Sequence, residues 1–133
     1  MKAIKARITK GLQKGSYLEA TDNSGAKVLK IISVKRAKTV YGRNPSAGLG
    51  DLVLASVVKG RPDMRKQVVF AVIVRQAKEY RRPNGVRVKF EDNAAVVLKD
   101  DKGTPKGTIF KGPVAKEVTE LWPGIAKIAK LVV

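Results

Sequence analysis

The sequence predicts a mainly β protein, a small closed β-barrel that carries a projecting basic β-hairpin and ends in two short helices. Three observations predict this fold. Apolar, β-branched runs separated by turn residues recur as far as Leu98, Asn84-Gly85 lies between two short runs, and the hydrophobic spacing becomes helical after Pro113. The 133 residues, 44% of them hydrophobic, suffice for one core. We therefore expect a single domain over residues 1–133, with the barrel at about 1–110 and the helical segment at about 113–130.

The strands follow one another along the chain. Ile4, Ala6 and Ile8 alternate with Lys5 and Arg7, and this period of two predicts an N-terminal strand. Further apolar runs predict strands over residues 16–22, 27–35, 51–59, 67–75 and 94–98. The stretches between them are polar and predict a long basic loop over 36–50, a basic turn over 59–66 and a turn region over 99–107.

A hairpin is predicted at Asn84-Gly85, because both positions of a type I′ turn need positive φ and these residue types accept it. A two-residue loop would place Arg82 directly opposite Arg87, whereas Pro83 leaves a wider loop open. Like charges at opposite positions destabilise a hairpin by roughly some tenths of a kcal/mol. A polyanion bound over this ribbon would offset that cost.

The C-terminal third has helical spacing. Val114, Val118 and Leu121 recur at helical intervals after Pro113, a residue suited to the first helical position. We expect Pro123-Gly124 to end this helix and a second short helical turn to follow over residues 125–130.

The charge predicts a nucleic-acid partner. The chain has 28 Lys and Arg against 11 Asp and Glu, a formal net charge of +17 and a sequence pI near 10.4. A small domain needs a net charge of only roughly 2–8 for solubility, and a heat-adapted surface would pair its lysines with comparable glutamate. No acid precedes Glu19, and none lies between Asp22 and Asp51. Positive charge on several separate loops indicates a protein wrapped by RNA rather than one with a single groove.

The residue types argue against catalysis. Without His or Cys the chain lacks the usual nucleophile–base pairs and the ordinary zinc or haem ligands. Glu91-Asp92 and Asp100-Asp101 leave a metal-dependent nuclease as a minor alternative, although solvated or turn-capping carboxylates fit better. We therefore expect a protein without catalytic activity that binds no cofactor, no metal and no small-molecule substrate.

No run of the sequence approaches the roughly 18 apolar residues of a membrane span. The absence of cysteine fits a reducing cytosol.

A motif over residues 71–97 carries a family resemblance. A small residue and three aliphatics (Ala71 to Val74) are followed after nine residues by Asn84-Gly85, then at fixed spacing by Phe90, Asn93 and Val96-Val97. The blocks ATDNSGAK, AGLGD, RRPNG and GTIFKGPVAKEV add to it. The chain resembles, over nearly its whole length, the universal large-subunit ribosomal protein fourteen family in its archaeal and eukaryotic form.

The resemblance implies a five-stranded β-barrel with a projecting ribbon, located on the cytoplasmic ribosome. It also implies direct binding of large-subunit rRNA and bridges to small-subunit rRNA. The implied protein neighbours are the ribosomal proteins L-three and eukaryote-type L-twenty-four, and an anti-association factor docks nearby. By motif position, phosphate contacts fall first to the ribbon residues Arg81, Arg82, Arg87 and Lys89. Next come the long loop and the strand turn, with Lys35, Arg36, Lys38, Arg43, Lys59, Arg61, Arg65 and Lys66.

Aromatic residues offer a second mode of RNA contact. Tyr41 and Tyr80 flank basic residues and are candidates for base stacking, since unpaired RNA bases are often bound in this way. Phe90 alternates with Val86 and Val88 and is expected to pack in the core. The alternative function is a free OB-like or cold-shock-like module for single strands, which its few scattered aromatics fit poorly.

Overall fold

The computed structural model describes residues 7–35 and 39–133. Within these residues the chain forms short and long β-strands followed by two α-helices. The strands are β1 (Leu12–Gln13), β2 (Tyr17–Ala20), β3 (Ala26–Val34), β4 (Ser46–Ala47), β5 (Leu52–Gly60), β6 (Val68–Arg75), β7 (Tyr80–Arg81), β8 (Arg87–Val88) and β9 (Ala94–Leu98). The helices are α1 (Lys116–Leu121) and α2 (Pro123–Ile128).

Five of the strands form a closed barrel in the order β2-β3-β5-β6-β9, which confirms the predicted fold class. Four neighbouring pairs are antiparallel, and the parallel pairing of β2 with β9, at Glu19↔Ala94 and Ala20↔Ala95, closes the ring. Alternating residues of β5 fill the interior, with Val53, Ala55 and Val57 buried. Closure matters because it leaves no open edge along these strands.

The strand directions give the barrel two distinct ends. At one end β5 finishes at Gly60 and β6 begins at Val68, beside the turn that joins β2 to β3. We call this the turn end. At the other end β6 finishes at Arg75 and leads into the two-stranded sheet of β7 and β8. We call this the ribbon end, and we call residues 80–88 the ribbon.

Two of the family-like blocks meet at the turn end. The Asn23 Oδ1 atom accepts hydrogen bonds from the backbone N–H groups of Thr108 (2.7 Å) and Ile109 (3.3 Å). Gly107 lies so close to Asn23 and Asp22 that a Cβ atom there would be 2.7 Å from Asn23 Oδ1. These contacts hold the segment after β9 against the β2–β3 turn.

The ribbon turns through a three-residue loop, Pro83 to Gly85, which is the wider of the two loops that the sequence left open. The Gly85 N–H donates to the Arg82 carbonyl at 2.9 Å, and the Arg82 N–H donates to the Val86 carbonyl at 2.9 Å. Gly85 has a positive φ of 88°. Proline favours the first central position of a type I turn, and the extra loop residue pairs Arg81, rather than Arg82, with Arg87.

Helix α1 begins later than its spacing predicts, and α2 begins earlier. Val114 pairs in parallel with Val132, and its N–H donates to the Leu131 carbonyl at 2.8 Å, so it lies in extended structure. Pro123 begins α2 instead of ending α1. The Trp122 Nε1–H donates a hydrogen bond to the Gly50 carbonyl at 2.8 Å, and this contact holds the helical segment against the barrel.

Most barrel strands begin and end within about two residues of their predicted bounds. The predicted N-terminal strand does not extend into the described part of the chain, because residues 7–10 form no strand. Its residues Ile4 and Ala6 lie outside the described residues.

Candidate nucleic-acid interface

The turn end carries four of the predicted phosphate ligands, Lys59, Arg61, Arg65 and Lys66, and all four are exposed. They lie on the β5–β6 connection or at its edge. Arg61 is partly engaged: its Nη2 donates to the Ser24 carbonyl at 3.2 Å and its Nε lies 3.6 Å from the Asp63 carboxylate. This surface ion pair is solvent-exposed and contributes little to stability. The other three cations have no carboxylate within 4 Å in the described chain.

The ribbon end carries Arg81, Arg87 and Lys89, which are exposed as well. Arg81 and Arg87 are direct cross-strand partners, so two guanidinium groups originate from one position of the ribbon. Arg87 lies 3.6 Å from the Glu79 carboxylate, with its side chain 61% exposed. The like charges of Arg81 and Arg87 repel each other across the ribbon, and a bound phosphate backbone would reduce this repulsion.

Arg82 differs from its neighbours, because it turns inward. Its Nε donates to Glu117 Oε1 at 2.8 Å and its Nη2 donates to the Tyr80 hydroxyl at 3.2 Å. The side chain is only 19% exposed. Burial opposes the charge, but the hydrogen bonds to Tyr80 and Glu117 outweigh it and raise the pKa of Arg82.

Tyr80 is not available for base stacking, so that prediction is wrong. The residue is 1% exposed and its hydroxyl donates to Glu117 Oε2 at 2.9 Å. Burial raises the pKa of Tyr80 to about 12, so the hydroxyl keeps its proton at neutral pH. The strand alternation explains the error: Tyr80 faces the body of the protein while Arg81 faces outward.

Some predicted RNA-binding side chains in and beside the long loop are exposed, and Lys35 also contacts an aromatic ring of the protein itself. Arg43 is exposed and Tyr41 is 94% exposed, so Tyr41 stays open to a base. The Lys35 Nζ lies 5.3 Å from the centre of the Phe70 ring, a cation–π distance. Arg36 and Lys38 lie outside the described residues.

One exposed aromatic was missed by the sequence reasoning. Tyr17 on β2 is 58% exposed, and the Nζ atom of its cross-strand partner Lys30 lies 5.9 Å from the ring centre. The alternation in Tyr17-Leu18-Glu19 was the available signal, since Leu18 is buried between two outward-facing residues.

Two of the four carboxylates that suggested a nuclease have structural partners. Asp92 is paired with buried Arg75 through two hydrogen bonds, of 2.9 and 3.1 Å, and Asp100 accepts the Lys102 N–H at 3.0 Å within its turn. Over residues 7–35 and 39–133, His, Cys, Asp and Glu nowhere gather in a set that could hold a metal ion. Among the same residues, no helix has the length and apolar character needed to cross a membrane.

The described residues thus form a closed barrel with exposed cations at both ends, several of which have no acidic partner in the described chain. The family model described as Ribosomal protein L14p/L23e matches residues 11–133. The chain is also 56% identical over 133 residues to the large ribosomal subunit protein uL14 of Nanoarchaeum equitans. It is 54% identical to that of Methanothrix thermoacetophila and 55% identical to that of Halorubrum lacusprofundi, with 100% of both chains covered in all three cases.

The chain therefore belongs to the ribosomal protein L14p/L23e family. This membership confirms the resemblance seen in the sequence and makes the chain a structural ribosomal protein rather than an enzyme. The cytoplasmic ribosome is accordingly its location.

Proposed function

We propose that this protein is a structural component of the large ribosomal subunit that binds large-subunit rRNA at both ends of its barrel. The observation that carries the proposal is the position of the free cations. Lys59, Arg65 and Lys66 at the turn end, and Arg81 and Lys89 at the ribbon end, are exposed and have no acidic partner within the described chain. Exposed, unpaired cations are the groups that neutralise phosphates.

The relatives support the choice of subunit, because each is named a large ribosomal subunit protein. Phosphate contacts fix register and orientation without reading sequence, and RNA helices are recognised largely by shape. We infer a scaffolding mechanism, in which RNA segments are held against opposite ends of one compact body. Arg61, Arg87, Lys35 and Arg43 supplement the unpaired cations, and Tyr41 is available to stack on an unpaired base.

Further contacts are part of the same proposal. The protein would contribute to bridges with small-subunit rRNA and lie beside the ribosomal proteins L-three and eukaryote-type L-twenty-four, near the docking place of an anti-association factor. The residues of these contacts are best sought on the exposed surface that the two cationic ends leave free.

Two measurements test the proposal. In a sucrose gradient of cell extract, the tagged chain should sediment with the large subunit, whereas a free single-strand-binding module would stay near the top. In vitro, the purified chain should bind large-subunit rRNA transcript with an affinity that falls steeply as salt increases. Absence from the heavy particle, or no binding at low salt by correctly folded protein, would contradict the proposal.

A further inference from the structure

Three side chains form a compact polar cluster between the ribbon and helix α1. The Glu117 carboxylate accepts the Tyr80 hydroxyl on one oxygen (2.9 Å) and Arg82 Nε on the other (2.8 Å), and Arg82 Nη2 also reaches the Tyr80 hydroxyl at 3.2 Å. Glu117 and Tyr80 are buried, at 4% and 1% exposure. We call these three residues the anchor cluster.

The anchor cluster also reaches the last described residues. Arg82 Nη2 donates to the Val133 main-chain oxygen at 2.5 Å. That oxygen also accepts the Lys116 N–H at 3.0 Å, and the Val133 N–H donates to the Val114 carbonyl at 3.0 Å. One guanidinium group thus joins the ribbon, the start of α1 and the segment that pairs beside it.

Because the Glu117 carboxylate is buried, losing its hydrogen-bond partners would be energetically costly. A buried charge is tolerated only when it is paired and hydrogen-bonded, and in the described residues every fully buried side-chain nitrogen or oxygen atom has a hydrogen-bond partner. Moving the ribbon away from α1 would break the hydrogen bonds that Tyr80 and Arg82 make to the Glu117 carboxylate. The cluster therefore favours one orientation of the ribbon over others.

Strand alternation determines which arginine joins this cluster. Tyr80 is buried and Arg81 is exposed, so Arg82, two residues after Tyr80, lies on the side that faces α1, while Arg81 pairs with Arg87 on the ribbon. Two adjacent arginines consequently have different environments: Arg81 is exposed, and Arg82 has two nitrogens engaged in internal hydrogen bonds.

We propose that Tyr80, Arg82 and Glu117 are positioning residues for RNA binding, which hold the ribbon so that Arg81, Arg87 and Lys89 meet the phosphate backbone together, and that Arg82 itself contacts no phosphate. This inference rests on the proposed function. Ordering several long side chains during binding costs about 0.5–1.5 kcal/mol for each. A ribbon that the anchor cluster already holds before RNA binds avoids part of that cost. A ribbon without the anchor cluster has to be ordered during binding.

Two matched pairs of variants test the proposal in the full chain against large-subunit rRNA transcript. Arg82→Gln is compared with Arg81→Gln, its exposed neighbour, and Glu117→Gln is compared with Glu120→Gln on the exposed side of α1. We expect Arg82→Gln and Glu117→Gln to weaken binding by roughly tenfold with no decrease in the salt slope. Arg81→Gln should lower that slope by roughly 0.7–0.9, and Glu120→Gln should change neither quantity.

A second readout separates positioning from general stability. Backbone ¹⁵N order parameters of Gly85, Val86 and Arg87 should fall from about 0.85 toward 0.6 in Glu117→Gln, while amides of β5 and β6 stay unchanged. If Arg82→Gln does not fold, the order parameters of the ribbon amides in Glu117→Gln still test whether the anchor cluster holds the ribbon.

The proposal fails if Arg82→Gln lowers the salt slope as much as Arg81→Gln, because Arg82 would then be a phosphate ligand. It also fails if Glu117→Gln leaves the ribbon amides as ordered as before. A wild-type chain that ignores the transcript would contradict the proposed function instead, so the two failures are distinguishable.

Discussion

The two ends of the barrel present similar charge but are held in different ways. At the turn end, a polar side chain, Asn23, accepts backbone N–H groups and fixes the loops beside the cationic β5–β6 connection. At the ribbon end, buried ion pairs do this work: Arg75 with Asp92, and Arg82 with Glu117. The cations that remain exposed at both ends are then free for a partner.

This difference shows that the basic residues of this protein do not all have the same use. Arg75 and Arg82 stabilise the fold, whereas Arg81 and Arg65 have no acidic partner in the described chain and face solvent. A truncation of either arginine in the first group leaves a carboxylate without its partner, and truncation of one in the second group removes only surface charge.

The largest expected effect concerns RNA binding by the two ends together. One variant replaces Lys59, Arg65 and Lys66 by Gln, a second replaces Arg81, Arg87 and Lys89, and a third combines all six. If RNA wraps both ends, each triple variant lowers the salt slope by roughly 0.7–0.9 for every phosphate that is no longer neutralised, and the combined variant lowers it by the sum. Filter binding to large-subunit rRNA transcript at several salt concentrations measures this. A slope that responds to only one end would limit the RNA interface to that end.

Sequence reasoning predicted the barrel strands well because their signals are local. Runs such as the one before Arg75 are apolar and β-branched, and they are bounded by turn residues that act over a few positions. The candidate phosphate ligands were assigned by motif position, and most of those in the described chain are exposed, since Lys and Arg are seldom fully buried unless they are paired.

The errors share a different cause, which is pairing between distant residues. Val114 has helical spacing but pairs with Val132, and Tyr80 and Arg82 both bind Glu117, which lies more than 30 residues further along the chain. Nothing local distinguishes Arg82 from Arg81. Strand alternation places Arg82 on the same side as Tyr80, and the packing of that side against α1 is a long-range contact that the local sequence does not show.

The next largest effect is expected from Arg75→Met at the ribbon end. Arg75 is buried, binds both oxygens of Asp92 and donates to the Lys111 and Pro113 carbonyls at 3.1 Å. Removing one partner of a buried pair costs about 3–5 kcal/mol, and we expect the lower end because Asp92 is 34% exposed. Urea unfolding of this variant and of Arg65→Met, an exposed control, measures it. Equal stability of the two variants would show that the ribbon end does not depend on its buried ion pair.

A smaller loss is expected from Asn23→Ala at the turn end. The substitution leaves the Thr108 and Ile109 N–H groups without their acceptor. Because these groups lie near the surface and water can replace part of the contact, we expect a loss of about 1–2 kcal/mol in the free energy of unfolding. Asn44→Ala in the long loop, where Asn44 is exposed, is the matched control and should change the unfolding midpoint little. A loss as large as that of Arg75→Met would remove the proposed contrast between the two ends.

The smallest effect is a pH dependence at the turn end. Burial raises the pKa of Asp22 above its ordinary value of 3.8, and the hydrogen bonds from Ser24 and Val97 only partly oppose this. The folded protein therefore binds the Asp22 proton more tightly than the unfolded chain does, so this group lowers stability as pH rises from 3.8 through the raised pKa. Relative to Asp22→Asn, which has no charge to bury, the wild-type chain should become more stable as pH falls through that window. Unfolding by urea between about pH 3 and pH 7 measures the difference. A difference that is constant with pH would mean that burial does not raise the pKa of Asp22 in the folded state.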